Sequence, residues 1–189
     1  MIKYAKIINQ ETGLCEVGLG TNIEFYQSIG MTQLDVQQSD IDNNWYLAEK
    51  CPMKTDEEKE QEEKARIQEL SMTRSDFFDG TIMAWGIGQD ELFILIQKLL
   101  ETLPIEVVKK MIAINNFRNA LNFYRKHDLF KMIVAMPIKL TETMQVVVTD
   151  ESLDNFFNEV DKGNKATAWQ YLPQPVQIPL PEEAVEVEE

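Results

Sequence analysis

Thr55-Asp56-Glu57-Glu58-Lys59-Glu60-Gln61-Glu62-Glu63-Lys64-Ala65-Arg66-Ile67-Gln68-Glu69 divides this chain into two textures. Positions 56–69 hold seven acidic and three basic residues, with Glu60 and Lys64, and Glu62 and Arg66, spaced as favourable i,i+4 pairs. The spacing predicts a helix, and the lack of a broad apolar stripe keeps that helix out of any core. It reads as a solvated linker helix over 54–70, or as one strand of a peripheral coiled contact that binds a partner. Outward from it, the sequence is β-type on one side and apolar-helical on the other. The expected fold class is α+β: a small β-rich module over 1–53, the linker, a helical module over 71–164, and an extended or disordered acidic, Pro-rich tail over 165–189.

In the first module, Lys3-Tyr4-Ala5-Lys6-Ile7-Ile8 and Leu14-Cys15-Glu16-Val17-Gly18-Leu19 flank a turn-forming Asn9-Gln10-Glu11-Thr12-Gly13, which predicts a β-hairpin. Thr21-Asn22 can cap a short helix through Phe25, Tyr26 and Ile29, with Gly30 placed for a left-handed C-terminal cap. Asp35-Val36-Gln37 and Trp45-Tyr46-Leu47-Ala48 read as two more strands around residues 40–44, and Pro52 closes the module.

Beyond the linker, Thr73 and Asp76 have capping-box spacing before a helix whose apolar face is Phe78, Ile82 and Trp85. Gly86-Ile87-Gly88 interrupts it. A second helix carries Leu92, Ile96, Leu99 and Leu103, ended or restarted by Pro104. Val107, Val108, Met111, Ile112 and Ile114 continue the apolar pattern into a third. Phe117, Leu121 and Tyr124 mark a fourth, with residues 129–136 able to extend it to Pro137. Four short helices joined by short loops predict a small antiparallel bundle. Ile138-Lys139-Leu140 and Met144-Gln145-Val146-Val147-Val148 are β-biased enough for a hairpin. Thr149-Asp150-Glu151-Ser152 then caps a last helix bearing Leu153, Phe156, Phe157 and Val160, closed by Lys162-Gly163-Asn164. Within the Pro-rich tail, Val176-Gln177-Ile178 and Leu180 have the composition to dock in extended form on a neighbour.

With 18 basic and 32 acidic side chains among 189 residues, the formal charge is −14. Such a field repels phosphate backbones and anionic lipid surfaces, so direct nucleic-acid binding and membrane association are not expected. The opening residues lack an apolar core of signal-peptide length, and no apolar run approaches the ~18 residues of a membrane span, so the expected setting is a cytoplasm. Cys15 and Cys51 are too few and too far apart for a zinc site. A disulfide between them would need the first module to bring them together, in an oxidising compartment that nothing in the sequence indicates.

No catalytic constellation stands out. The single histidine, His127, adjoins Asp128 but has no local Ser or Cys motif, and reads as a surface or helix-end residue. Gly18-Leu19-Gly20 and Gly86-Ile87-Gly88 lack the lysine or third glycine of phosphate loops. Asp35, Asp40 and Asp42 lack the pattern of a hard-metal loop. No catalytic, cofactor-binding or metal-binding residue is therefore expected. Phe25, Tyr26, Trp45, Tyr46 and Trp85 are large side chains of the kind that anchor interfaces, and Trp45, Tyr46 and Trp85 are the expected partner-binding residues.

Met1-Ile2-Lys3-Tyr4-Ala5-Lys6-Ile7-Ile8, Cys15-Glu16-Val17-Gly18 and Trp45-Tyr46-Leu47-Ala48-Glu49-Lys50-Cys51-Pro52 together resemble small bacteriophage tail-associated proteins, the XkdW-like and tail-fibre-assembly groups. Leu70-Ser71-Met72-Thr73-Arg74-Ser75-Asp76-Phe77 and Val148-Thr149-Asp150-Glu151 resemble a helical module of phage and prophage proteins. The resemblance implies a non-enzymatic role in tail or tail-fibre assembly, through contacts with phage structural proteins or with itself as a homo-oligomer. The implied setting is the host cytoplasm during assembly, or the virion tail. The long Pro- and Glu-rich tail departs from those groups. An alternative expectation, from the −14 charge, is an acidic phage-encoded inhibitor of a host nucleic-acid-binding defence protein.

Overall fold

A computed structural model describes residues 1–178, which combine helices and strands in two compact units, Met1–Glu62 and a second that begins at Glu63. Expectations for Pro179, Leu180, Pro181 and the five terminal glutamates lie outside the described residues.

The first unit contains β1 (Ile2–Asn9), β2 (Leu14–Val17), α1 (Ile23–Ser28), β3 (Thr32–Gln38) and β4 (Trp45–Leu47). The four strands close into an antiparallel barrel in the order β1-β2-β4-β3, with Ala5 opposite both Val17 and Thr32, and Tyr46 opposite both Leu14 and Gln37. So small a barrel has room inside only for small side chains. Ala5, Cys15 and Val36 fill it, with Ile7, Val17, Leu34, Trp45 and Leu47 half-buried around them. The β1–β2 turn forms because the Asn9 side chain accepts from Glu11 and Thr12 N–H groups while Gly13 takes φ +75°. Asn22 caps α1 through a hydrogen bond from Phe25 N–H, and Gly30 at φ +81° ends it, both as the spacing predicts.

Next along the chain, α2 (Asp56–Glu69) crosses the boundary between the units and buries none of its residues. Its N-terminus is a capping box, the Thr55 hydroxyl accepting from Glu58 N–H and the Glu58 carboxylate from Thr55 N–H. The first turns are held to their own unit by Lys54 on Glu62 at 2.6 Å and Lys59 on Asp40 at 3.3 Å. In the second unit Arg66 pairs with Glu63 at 2.8 Å and Asp161 at 3.3 Å, and Lys126 pairs with Glu69. The expected Glu62–Arg66 pair is replaced because Lys54 competes for Glu62.

The second unit runs β5 (Ser71–Thr73), α3 (Arg74–Trp85), α4 (Gln89–Thr102), α5 (Val107–Asn119), β6 (Asn122–Tyr124), α6 (Asp128–Ile133), β7 (Pro137–Lys139), β8 (Met144–Val147), α7 (Asp150–Asp161), α8 (Lys165–Ala168) and β9 (Val176–Gln177). β5 and β6 pair antiparallel, and β7-β8-β9 form a three-stranded sheet. The centre is aromatic. Phe77, Phe78, Phe93, Phe117, Phe123, Phe130, Phe156 and Phe157 are all buried in one cluster, and Phe117 and Phe123 lie 4.5 Å apart between ring centres. Offset and edge-on rings of this kind stabilise beyond their buried area. Gly80 lets α3 approach α7, since a Cβ there would lie 2.5 Å from the Phe156 ring.

Several expectations are corrected. The buried face of α3 is Phe77, Phe78, Gly80, Thr81 and Ala84, whereas Ile82 is exposed and Trp85 half-buried. The face is rotated because Phe77 joins Phe78 in the aromatic centre, Phe77 against Phe117, Phe123, Phe130 and Phe156, and Phe78 against Phe93, Phe117 and Phe123. In place of a fourth helix, Phe117 lies in α5, Leu121 is exposed, and Tyr124 lies in β6, drawn into a strand by pairing with β5. The unit is thus not a four-helix bundle. The tail expected from residue 165 is instead structured to Ile178. Lys165–Ala168 is helical, and Val176–Gln177 adds to β8, docking in extended form on its own chain. The hairpin at β7 and β8 and the capped α7 stand as the sequence predicts, with the Thr149–Ser152 capping box complete.

Candidate interaction surfaces

The three expected anchors are half-buried, Trp45 and Tyr46 in the first unit and Trp85 in the second. Trp45 leans on the barrel core with the Lys3 ammonium 4.2 Å from its ring centre. Its neighbour Tyr46 donates its hydroxyl to Asp42 at 2.8 Å. That bond raises the phenol pKa, while the Asn44 N–H and the Tyr46 hydroxyl lower that of Asp42. In the second unit, Trp85 donates its indole N–H to the Pro173 carbonyl at 2.8 Å, so it clasps the C-terminal segment as well as packing on the core.

His127 sits at the N-terminus of α6, where Nδ1 accepts from Leu129 N–H at 3.1 Å and the ring meets Phe117 and Phe130. Burial holds its pKa below the usual imidazole value, against an opposing pull from Asp128. It is a cap. Beside it, Arg125 is 1% exposed, donating from Nε to Asp154 and from Nη2 to Asp150, each at 2.6 Å, which ties β6 to the first turns of α7. Sequence reasoning missed this buried cation, and no local pattern distinguishes it from the adjacent exposed Lys126. Cys15 and Cys51 are free thiols, both with pKa raised chiefly by burial.

Two apolar surfaces are left open. In the first unit no residue of α1 is buried. Leu19 is 85% and Phe25 53% exposed, with Ile23 and Ile29 also in solvent. Tyr26 explains why. Its hydroxyl accepts from Gly20 N–H, its ring covers Gly18 where a Cβ would come within 2.6 Å, and it stacks on Tyr4 at 6.1 Å. Pinning the segment by that one ring turns Phe25 outward.

In the second unit, α5 buries Ala113 and Phe117 and exposes Val107, Val108, Met111 and Ile112, Val107 to 68% and Met111 to 59%. The sequence places these four in a core pattern. The structure corrects that, because a 13-residue helix apolar on two sides can turn only one of them inward. Beside the exposed stripe runs a groove of about 740 Å³ between α5 and α6, lined by Ile112, Ala113, Met132 and Met136 together with the charged Lys109, Asp128 and Lys131.

Among the described residues, no group of three or more His, Cys, Asp and Glu is placed to hold a metal ion, and no helix is long and apolar enough to cross a membrane. No protein-family model, curated protein or solved structure matches the chain.

Proposed function

We propose that this protein is a non-enzymatic phage or prophage component that works through protein contacts in tail or tail-fibre assembly, in the host cytoplasm, with tail or fibre subunits as partners. The observation that carries the reading is α1 and the residues flanking it: the helix buries none of its own side chains and presents Ile23 and Phe25 to solvent, with Leu19 before it and Ile29 after it also exposed. A barrel whose interior holds little more than Ala5, Cys15 and Val36 has no space for them. Clustered aromatic and aliphatic groups of this kind contribute most of the energy of protein–protein contacts. The phage setting comes from the resemblance of the Met1–Ile8 and Trp45–Pro52 stretches.

Capture of tagged wild-type and Phe25→Asp protein from phage-infected cells tests the proposal. Tail or fibre subunits should come down with the wild type and be depleted at least tenfold with the variant, whose fold is checked by circular dichroism. Recovery of a host nuclease or other nucleic-acid-binding defence protein instead would sink the reading and favour the acidic-inhibitor alternative.

A further inference from the structure

α5 combines two properties that are each unusual in this chain. It exposes a continuous aliphatic stripe, since Val107 and Met111, and Val108 and Ile112, are i,i+4 neighbours. Its charge is purely cationic, with Lys109, Lys110 and Arg118 and no acidic residue in the helix, although the chain as a whole carries 32 acidic side chains against 18 basic.

Recesses continue the stripe on both flanks. On one side lies the α5–α6 groove, with Ile112, Ala113, Met132 and Met136. On the other, a recess of about 260 Å³ between α4 and α5 is lined by Leu100, Val107, Met111 and Ile114. A third, of about 340 Å³ between α4 and β7, shares Met136 with the groove and adds Leu95 and Leu99. The charged groups lining the three are five lysines, Lys98, Lys109, Lys110, Lys131 and Lys139, and two carboxylates, Glu101 and Asp128. Lys109 is matched by Glu106 at 3.3 Å and Lys131 by Asp128 at 3.6 Å. Lys98, Lys110 and Lys139 have no ion-pair partner among the described residues, and the half-buried Lys110 donates to the neutral Glu101 carbonyl at 3.5 Å. The balance of charge on this face is thus the reverse of that of the chain.

We propose that this face of the second unit binds an acidic amphipathic helix of another protein, laid along α5 in the α5–α6 groove. Each half of that chemistry answers an observation. Apolar side chains at i, i+3, i+4 and i+7 of the partner cover the stripe and enter the recesses, where Met111, Met132 and Met136 adapt to their shape. Carboxylates beside them meet the lysines that lack one. Other occupants satisfy one half only. A second copy sets its own α5 cations against these, and its acidic α2 offers only Ala65 and Ile67 as apolar groups. A nucleic acid brings charge without aliphatic groups, and an anionic membrane, which brings both, is repelled by the net charge of −14. The proposal does not depend on the α1 contact, and either can fail without the other.

Peptide titration of the full-length protein, labelled with carbon-13 at its methionine methyls, is the test. The probe is a helix-stapled peptide of the 13-residue length of α5, with leucines on one face and glutamates on the other. It should bind in the micromolar range and shift the signals of Met111, Met132 and Met136, leaving those of Met31 and Met53 in the first unit unmoved. Serine in place of its leucines should abolish binding, and about 0.5 M NaCl should weaken it roughly fivefold. Lys109→Glu/Lys110→Glu should weaken it at least tenfold and should instead bind the lysine version of the peptide through the same methyls, an exchange that misfolding cannot imitate. Absence of binding, shifts confined to other methionines, or binding indifferent to the leucines or to these charges would overturn the proposal. So would broadening of the same methyls by vesicles of phosphatidylserine and phosphatidylcholine, which assigns the face to a membrane, or a concentration-dependent shift of Met111 in the protein alone, which assigns it to a second copy.

Discussion

Gly80 lies in the interior of α3, where replacement of glycine by alanine ordinarily stabilises a helix by about 1 kcal/mol. Here the expected sign is reversed. A Cβ at Gly80 would lie 2.5 and 2.8 Å from two Phe156 ring atoms, well inside any ordinary carbon contact. Phe156 cannot retreat. It is 1% exposed and is backed by Phe77 at 6.2 Å and Phe157 at 6.3 Å between ring centres. Overpacking a closed core costs about 1–3 kcal/mol. Set against the helix gain, the net for Gly80→Ala is a loss of up to about 2 kcal/mol. Urea unfolding followed by circular dichroism measures it as a lower midpoint for the second unit. The cycle with Phe156→Leu sharpens the test, since the smaller side chain relieves the clash and the two substitutions should couple by about 1 kcal/mol. A Gly80→Ala protein more stable than the wild type, by the gain of an ordinary helix position, would refute the claim that α3 and α7 are held in contact at this residue.

Three further outcomes follow from the same geometry. Asp154→Ala leaves the enclosed Arg125 with the largely exposed Asp150 as its remaining carboxylate and should cost about 2–3 kcal/mol by urea unfolding. Arg125→Met/Asp154→Leu, which removes the buried charge together with its partner, should cost less, and the opposite order would contradict the ion-pair account. Because burial depresses the His127 pKa, the unfolded chain binds more protons than the folded one as pH falls below about 6.5, so this residue's contribution is present above that pH and is lost on acidification. Between pH 7.5 and 5.5 the wild type should therefore lose more stability than His127→Asn, which keeps a cap acceptor; equal losses would show that the imidazole does not titrate against the fold. Trp85→Phe removes the indole donor to Pro173 and should cost about 1 kcal/mol while speeding proteolysis after residue 172. Unchanged cleavage would mean that the clasp contributes nothing.

Local chemistry was legible before any tertiary information. The charged run at 56–69 forms a helix with no buried residue, inside the 54–70 span expected for it, because so few of its side chains are apolar. Thr73, Thr149 and Asn22 cap the helices that their spacing announces, and the glycines at 30, 86 and 163 take positive φ where helices end. Caps and turns involve residues two to four apart, so they are written in the sequence itself.

What the sequence left open concerns which apolar face turns inward. Phe117, Leu121 and Tyr124 carry a helical spacing, but pairing of Asn122–Tyr124 with Ser71–Thr73 outweighs it, and that partner lies some fifty residues away. The two apolar sides of α5 look alike in sequence. Only the position of Phe77, Phe123 and Phe130 selects Ala113 and Phe117 for the core and leaves Val107, Val108, Met111 and Ile112 outside. Arg125 is buried for a similar reason, since Asp150 and Asp154 are brought to it by the packing of α7. By itself the sequence determined the linker helix, the caps, the hairpins and the aromatic character of the core, all of them consequences of neighbouring residues. Tertiary structure alone decided the closed barrel, the rotation of α3 and the open faces of α1 and α5, because each depends on how much apolar surface the rest of its unit has room to cover.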